Sequence, residues 1–343
     1  RQQLSDLLEV DLRVVSFSGN GAILMARGVD RVVREGPGLY RVYWSSNFTD
    51  PRPYAVGAFA TLGQNLNLRA SIEPDVAHQN LRRFVRPDNV LISTRNIQDG
   101  IRGDAQIVNV MAYFEDPDKA SSQFPLRPLW GVVDATTKTV YAQNRVASVG
   151  PHPEASGHPS ITIWPANGSV AAPDRVMLAG ACAATSDASY FSLEQTSGAA
   201  QSNSWLGVGT RGMSNVVLTS ASAAFLSFLA LPPSLTYTGL VHKWVIFAGT
   251  GQQLLGSAGV ASVTELEQGR YKITFSEPFD TEAYAVFGVS NAYATLGDFI
   301  GLTDASTQTA GNMQIDLKDT ATGLLQPLEA NSVITVMAVG VRV

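Results

Sequence analysis

Few residues in this chain have the types and spacing that carry out chemistry. Gly207-Val-Gly-Thr-Arg-Gly212 spells the G-x-G-x-x-G pattern of a dinucleotide-binding turn. That turn works only where a strand enters it and a helix leaves it with its N-terminus facing the phosphates. Here the β-like Val216-Val-Leu218 follows instead. His152 and His158 flank Glu154, but in a Pro/His loop with no Cys partner, a thin donor set for zinc. A Ser-His-Asp nucleophile needs an activating base, yet there are four histidines (His78, His152, His158, His242) and no G-x-S-x-G elbow. The closest carboxylate pairs, Glu73/Asp75 and Asp280/Glu282, sit among loop residues and read as solvated rather than as an acid/base pair. Cys182, the one cysteine, lies in the apolar run Leu178-Ala-Gly-Ala-Cys-Ala-Ala184 and reads as a buried, inert thiol. Arg102-Gly103-Asp104 spells an integrin-type tripeptide, a match short enough to arise by chance. Asn47-Phe-Thr49 and Asn167-Gly-Ser169 fit glycan sequons, which matter only in a eukaryotic secretory setting. The residues therefore lead us to expect no catalytic, cofactor-binding or metal-binding site and no enzyme.

Composition points the same way. Of 343 residues 45% are hydrophobic, enough for a folded core, but only 15% are charged. Globular proteins usually carry about 25%. Little charge is left to coat a free-standing surface, which suggests burial in an assembly or an extracellular setting. The net charge is −5 and the densest basic patch is Arg82, Arg83 and Arg86, so nucleic acid has little to bind. The most apolar stretch, Ala221 to Leu231, is 11 residues long. A spanning helix needs about 20, so no membrane insertion is expected. The chain begins Arg1-Gln-Gln3, without the apolar core of a signal peptide.

What organises the chain is an internal repeat. Val15-Ser-Phe17-Ser-Gly19-Asn-Gly21 returns as Val245-Ile-Phe247-Ala-Gly249-Thr-Gly251, displaced by 230. Gly38-Leu-Tyr40-Arg-Val42-Tyr-Trp44 returns as Gly269-Arg-Tyr271-Lys-Ile273-Thr-Phe275. Phe48 answers to Phe279, Tyr54-Ala-Val56 to Tyr284-Ala-Val286, and both copies close on Val-Met-Ala, at 110–112 and 336–338. A worn third copy lies between. Trp130 aligns with Trp244, and Val146-Ala-Ser-Val149 repeats Val260-Ala-Ser-Val263. Gly157-His-Pro-Ser-Ile161-Thr-Ile163 aligns with the Gly-x-Tyr-x-Ile-x-Phe phrase, with Pro159 in the Tyr place, and Phe228-Leu-Ala230 closes the copy.

Within a copy, Tyr271, Ile273 and Phe275 alternate with Arg270, Lys272 and Thr274, the period of a half-buried antiparallel strand. Val333 to Val339 is continuously apolar and rich in β-branched residues, as a central strand would be. With turn residues at short intervals, the pattern predicts an all-β chain of three tandem antiparallel β-sandwich modules of roughly 105 residues each. They span 13–117, 128–232 (diverged) and 243–343, joined by short Pro-rich linkers. The predicted core comprises Phe17, Tyr40, Val42, Trp44, Tyr54, Trp130, Ile161, Ile163, Trp244, Phe247, Tyr271, Ile273, Phe275 and Tyr284. The glycines that open the Tyr strands, Gly38 and Gly269, are expected at positive φ or in bulges. Residues 1–12 form a separate arm in which Leu4, Leu7, Leu8 and Leu12 fall at helical spacing, an apolar stripe suited to assembly.

The recurring phrase, Phe247-Ala-Gly-Thr-Gly251, Val260-Ala-Ser-Val263, Gly269 to Phe275, then Tyr284-Ala-Val286, resembles the repeats of bacteriophage tail-fibre and related virion appendage proteins. The resemblance covers the first and third copies clearly and the middle one faintly. It implies a virion structural protein, a tail fibre or tail-tip component that attaches to a host surface. Alternatives are a capsid decoration or head-fibre protein, or a bacterial extracellular adhesin or carbohydrate-binding module. Implied partners are further copies of the chain, with a homotrimer favoured, other virion proteins, and a host-surface glycan or protein.

Overall fold

The structure is a computed structural model. It describes residues 10–48, 54–61, 67–73, 85–96, 98–115, 129–133, 140–144, 146–151, 161–165, 177–184, 191–196, 201–202, 205–212, 223–231, 240–248, 253–292, 298–319, 322–328 and 333–341. Between 114 and 239, side chains are described at Val132 and Val140 alone. The described residues are all-β apart from a 3₁₀ turn at Ala305–Thr307.

Eight strands come first: β1 (Val10–Ser18), β2 (Ile23–Arg27), β3 (Val29–Gly36), β4 (Leu39–Trp44), β5 (Ala55–Ala60), β6 (Leu68–Ile72), β7 (Asn89–Asn96) and β8 (Ile107–Glu115). They make two antiparallel sheets, ordered β2-β1-β8-β5 and β3-β4-β7-β6. Next come β9 (Leu129–Val133), β10 (Val140–Asn144), β11 (Val146–Pro151), β12 (Ile161–Pro165), β13 (Met177–Ala184), β14 (Phe191–Thr196), β15 (Gln201–Ser202), β16 (Trp205–Gly212) and β17 (Ala223–Leu231). Last are β18 (Leu240–Ala248), β19 (Gln253–Ala258), β20 (Val260–Glu267), β21 (Arg270–Phe275), β22 (Ala285–Ala292), β23 (Asp298–Leu302), β24 (Asn312–Asp319) and β25 (Val333–Val341). The orders β10-β9-β17-β13 and β11-β12-β16-β14 repeat the first pattern, with β15 added beside β16. So do β19-β18-β25-β22 and β20-β21-β24-β23. A short parallel pairing, Gln195↔Asn291 and Thr196↔Ala292, fuses two of these sheets into one of nine strands.

The two sheets of a set differ in what covers them, and the burial patterns record it. Along β4 and β21, buried residues alternate with half-buried ones, so those sheets turn one face outward. Along β25, Ile334 to Gly340 are all buried, and β8 is buried from Ile107 to Tyr113. A strand reads as continuously apolar when both its faces are covered. Phe17 packs edge-on against Tyr40, so Phe17, Val15 and Arg13 of β1 face the inside of the sandwich. Val14 and its cross-strand partner Met111 then face away from it, and both are fully buried. Their cover comes from the last strands: β22 packs on β1 and β8, and Asn109 Nδ2 donates to Val286 O at 3.2 Å.

Two sequence readings are corrected here. Leu12 is not part of a separate arm, because β1 starts at Val10; it is a buried strand residue paired with Tyr113. The helical spacing of the leucines therefore does not continue through it, while Leu4, Leu7 and Leu8 lie outside the described residues. In the middle copy, Val146 pairs with Pro165, whereas Val260 pairs with Phe275. Pro165 thus stands in the Phe275 place and Ile161 in the Tyr271 place, a slip of two residues from the alignment. Period-two alternation hides such a slip, since a shift of two leaves every residue on the same face.

Candidate functional site

Gly38 and Gly269 do open their strands at positive φ, +60° and +79°. A Cβ at Gly38 would lie 2.5 Å from Thr94 O and 2.7 Å from Gly103 N, and one at Gly269 would lie 2.4 Å from Gln326 O. The tight approach at Gly38 builds the most elaborate polar cluster of the first eight strands. Asp104 accepts from the Gly38 N–H at 2.8 Å, from the Tyr40 hydroxyl at 2.8 Å, and from Arg34 through both carboxylate oxygens, at 3.1 and 2.6 Å. The Arg34 guanidinium, helped by the Gly38 N–H and the Tyr40 hydroxyl, holds the Asp104 carboxyl at about 2. Burial, reinforced by Asp104, pushes the Tyr40 hydroxyl well above its ordinary range. The tripeptide Arg102-Gly103-Asp104 lies at the surface, with its charges engaged by the chain itself: Asp104 is held by three donor residues and Arg102 is paired to Glu73.

Glu73, expected in solvent, is instead 5% exposed and paired with both Arg95 (3.0 Å) and Arg102. Its sequence neighbours Pro74 and Asp75 gave it a loop-like look, but Glu73 follows directly on β6 and points at guanidinium groups brought by β7 and the next turn. Two cations around one carboxylate are an ion-pair lock, since a buried charge persists when it is paired. Asp280 and Glu282 are exposed, and Asp75 lies outside the described residues.

The second recurring constellation was missed by sequence reasoning. Arg13 lies with its guanidinium carbon 3.7 Å from the Phe48 ring centre and 5.9 Å from that of Trp44, and it donates to Ser46 O. Lys243 sits with Nζ 4.3 Å from the Phe279 ring centre and 4.9 Å from that of Phe275, and it donates to Glu277 O. Each cation runs its stem over a glycine that has no room for a Cβ, Gly28 under Arg13 and Gly259 under Lys243. Behind it, Tyr54 stacks on Phe48 at 4.0 Å and Tyr284 on Phe279 at 4.5 Å. The Tyr54 hydroxyl reaches Arg86 O and Asn89 O, as the Tyr284 hydroxyl reaches Thr309 O and Asn312 O. Burial lowers the Lys243 ammonium from its usual range. The signal was available: Arg13 and Lys243 are separated by the same 230 as the motif itself, each a cation two residues before a Val-x-Phe pair on the same strand face.

Of the predicted core, Phe17, Tyr40, Val42, Trp44, Tyr54, Trp244, Phe247, Tyr271, Ile273, Phe275 and Tyr284 are all buried. They do not form one surface. Trp244 faces away from the sandwich interior that Lys243, Val245 and Phe247 line. Trp130 pairs with Leu229 as Trp244 pairs with Met337, while the side chains of Trp130, Ile161 and Ile163 lie outside the description. Gly207–Gly212 lies within β16, so it is a strand and not a turn before a helix. Cys182 lies in β13, opposite Leu226. His242 is in β18, and His78, His152 and His158 lie outside the described residues. Among the described residues there is no group of three His, Cys, Asp or Glu placed to hold a metal, and no helix long and apolar enough to cross a membrane.

No protein-family model, curated protein or solved structure matches this chain. What the site can do rests on the residues alone. The charges built into the described strands are placed to hold strands together: Arg34 to Asp104, Arg95 and Arg102 to Glu73, Arg270 to Asp316, and Arg41 to Glu35.

Proposed function

We propose that this chain is a virion structural protein, a tail-fibre or tail-tip component of a bacteriophage that takes part in attachment to the host surface. In this reading it is not an enzyme. It consists of three tandem β-sandwich modules of roughly 105 residues, the middle one diverged. The observation that carries the proposal is the repeated aromatic and Gly-x-Tyr phrase, which resembles those of such appendages. Its best-kept residues, Trp44, Phe48 and Tyr54 with Phe275, Phe279 and Tyr284, form a cation-capped plug rather than a reaction centre. A chain that keeps a packing plug and varies what surrounds it is suited to present surfaces.

Gold-labelled antibody against the purified protein, imaged on particles of the parent virus, tests the proposal. Label at the tail is the expected result. Label on the head would replace it with a decoration or head-fibre role, and label confined to bacterial cells with an adhesin. A sugar-release assay on host envelope material is expected to stay at background.

A further inference from the structure

We infer that the chain closes on itself as a single-chain ring of three sandwich units, so that the threefold contact that the sequence suggests between chains is made within one. The argument rests on corresponding strands. β5, β13 and β22 hold the same place in their three sheets, and each packs against the other two. β6, β14 and β23 likewise correspond. β6 lies against β13, β14 pairs in parallel with β22, and β23 reaches the end of β5 through the parallel bridge Thr61↔Leu302. One type of contact is therefore made three times, always from the sixth strand of one unit to the fifth of the next.

Such a head-to-tail contact either propagates into a filament or closes into a ring. The deciding joint is the one that chain connectivity does not enforce, between the last unit and the first. There Lys318 Nζ donates to Asn67 Oδ1 at 3.0 Å, both residues buried. Gln106 Nε2 donates to Asp304 Oδ2 at 3.1 Å, and Gln106 Oε1 accepts from the Ala305 N–H at 2.8 Å. Asn109 reaches Val286 O. The face of the β2-β1-β8-β5 sheet turned from its own sandwich carries Val14, Met111, Tyr113, Ala55 and Phe59, and all five are buried. A lone sandwich would expose these residues. Closure also accounts for the low charge content: the apolar axial faces cover one another within the chain, and the alternating sheets of β4 and β21 remain outward for partners. The inference holds whether or not the virion reading does.

Mixed-isotope crosslinking tests it. Gln106→Cys and Asp304→Cys are introduced with Cys182→Ala, and equal amounts of ¹⁴N- and ¹⁵N-labelled protein are co-refolded and treated with a short bismaleimide. The expected product is a 106–304 crosslink in which both peptides carry the same isotope, migrating as a looped single chain on a denaturing gel. Mixed-isotope crosslinks at the statistical share would show that closure occurs between copies and would overturn the inference. So would a crosslink at neither residue. Gln106→Cys with Ser306→Cys, both exposed positions, repeats the test without touching the turn cap at Asp304 and carries the same two outcomes.

Discussion

Lys243 occupies in the last eight strands the position that Arg13 occupies in the first. Both are two residues before a buried Val, Val15 and Val245, both pass over a glycine, and both end above a stacked Phe–Tyr pair with a main-chain oxygen that accepts their hydrogen bond. A fixed carbonyl and two ring faces suit either cation, and Arg13 adds a second bond, from Nη2 to Ser46 Oγ at 3.2 Å.

What the charge contributes is testable. Arg13→Lys should cost about 1 kcal/mol, because Lys243 shows that an ammonium fits over the two rings while the bond to Ser46 Oγ is lost. Arg13→Met should cost about 2 kcal/mol, through the lost cation–π contact and the Ser46 carbonyl left without its donor. Denaturant melts of the two variants should therefore separate clearly, and equal midpoints would mean the charge contributes nothing there.

Trp44→Ala and Phe275→Ala should each cost about 3–5 kcal/mol, the usual range for emptying a large aromatic site. Each removes the edge-on partner of a stacked pair: Trp44 at 5.7 Å from Phe48, and Phe275 at 5.1 Å from Phe279. A loss below about 1 kcal/mol in urea titrations would show that neighbouring strands refill the space.

Gly38→Ala and Gly269→Ala should be among the most damaging single-methyl changes in the chain. Each adds left-handed strain of about 1–2 kcal/mol and drives a Cβ against main-chain atoms that cannot move without breaking the sheet. Gly36→Ala, where nothing lies within 4 Å, is the control and should leave the thermal midpoint almost unchanged.

Stability should fall at both ends of the pH scale for reasons that can be separated. Burial pushes the Tyr271 hydroxyl up to about 12 and those of Tyr54 and Tyr284 higher still. A raised folded-state value means that the unfolded chain releases protons first, from about pH 10. Stability is thus complete below that and lost as the pH rises toward 12, together with a delayed phenolate absorbance. Asp104, held at about 2, has the opposite sign. Its contribution is present above the ordinary carboxylate value of about 4 and is lost as the pH falls toward 2. Asp104→Asn should flatten the acid limb and soften the alkaline limb only by the share that Tyr40 contributes, since Asp104 helps to raise that hydroxyl, while the shares of Tyr54, Tyr271 and Tyr284 stay. Its partial exposure keeps the size of the effect modest.

The residues alone determined the class of structure and its outward sheets. In Gly269 to Phe275, strict alternation places Tyr271, Ile273 and Phe275 on one face whatever lies beyond, because a strand has a period of two. The same logic located the plug aromatics. It could not locate what requires partners distant in sequence. Val333 to Val339 looked like any central strand, but its second face is buried because β2 and β13, strands of other sheets, pack against it, and only the assembled chain provides that cover. Glu73 looked solvated because its neighbours in sequence are loop-like, while the guanidinium groups that hold it come from 22 and 29 residues away. Leu12 fitted a helical stripe until pairing with Tyr113 claimed it for β1, since a hydrogen-bonded ladder outweighs the weak preference of a short helix. The middle copy slipped by two residues for the same reason: alternation fixes the face of a strand, and only pairing between strands fixes its register.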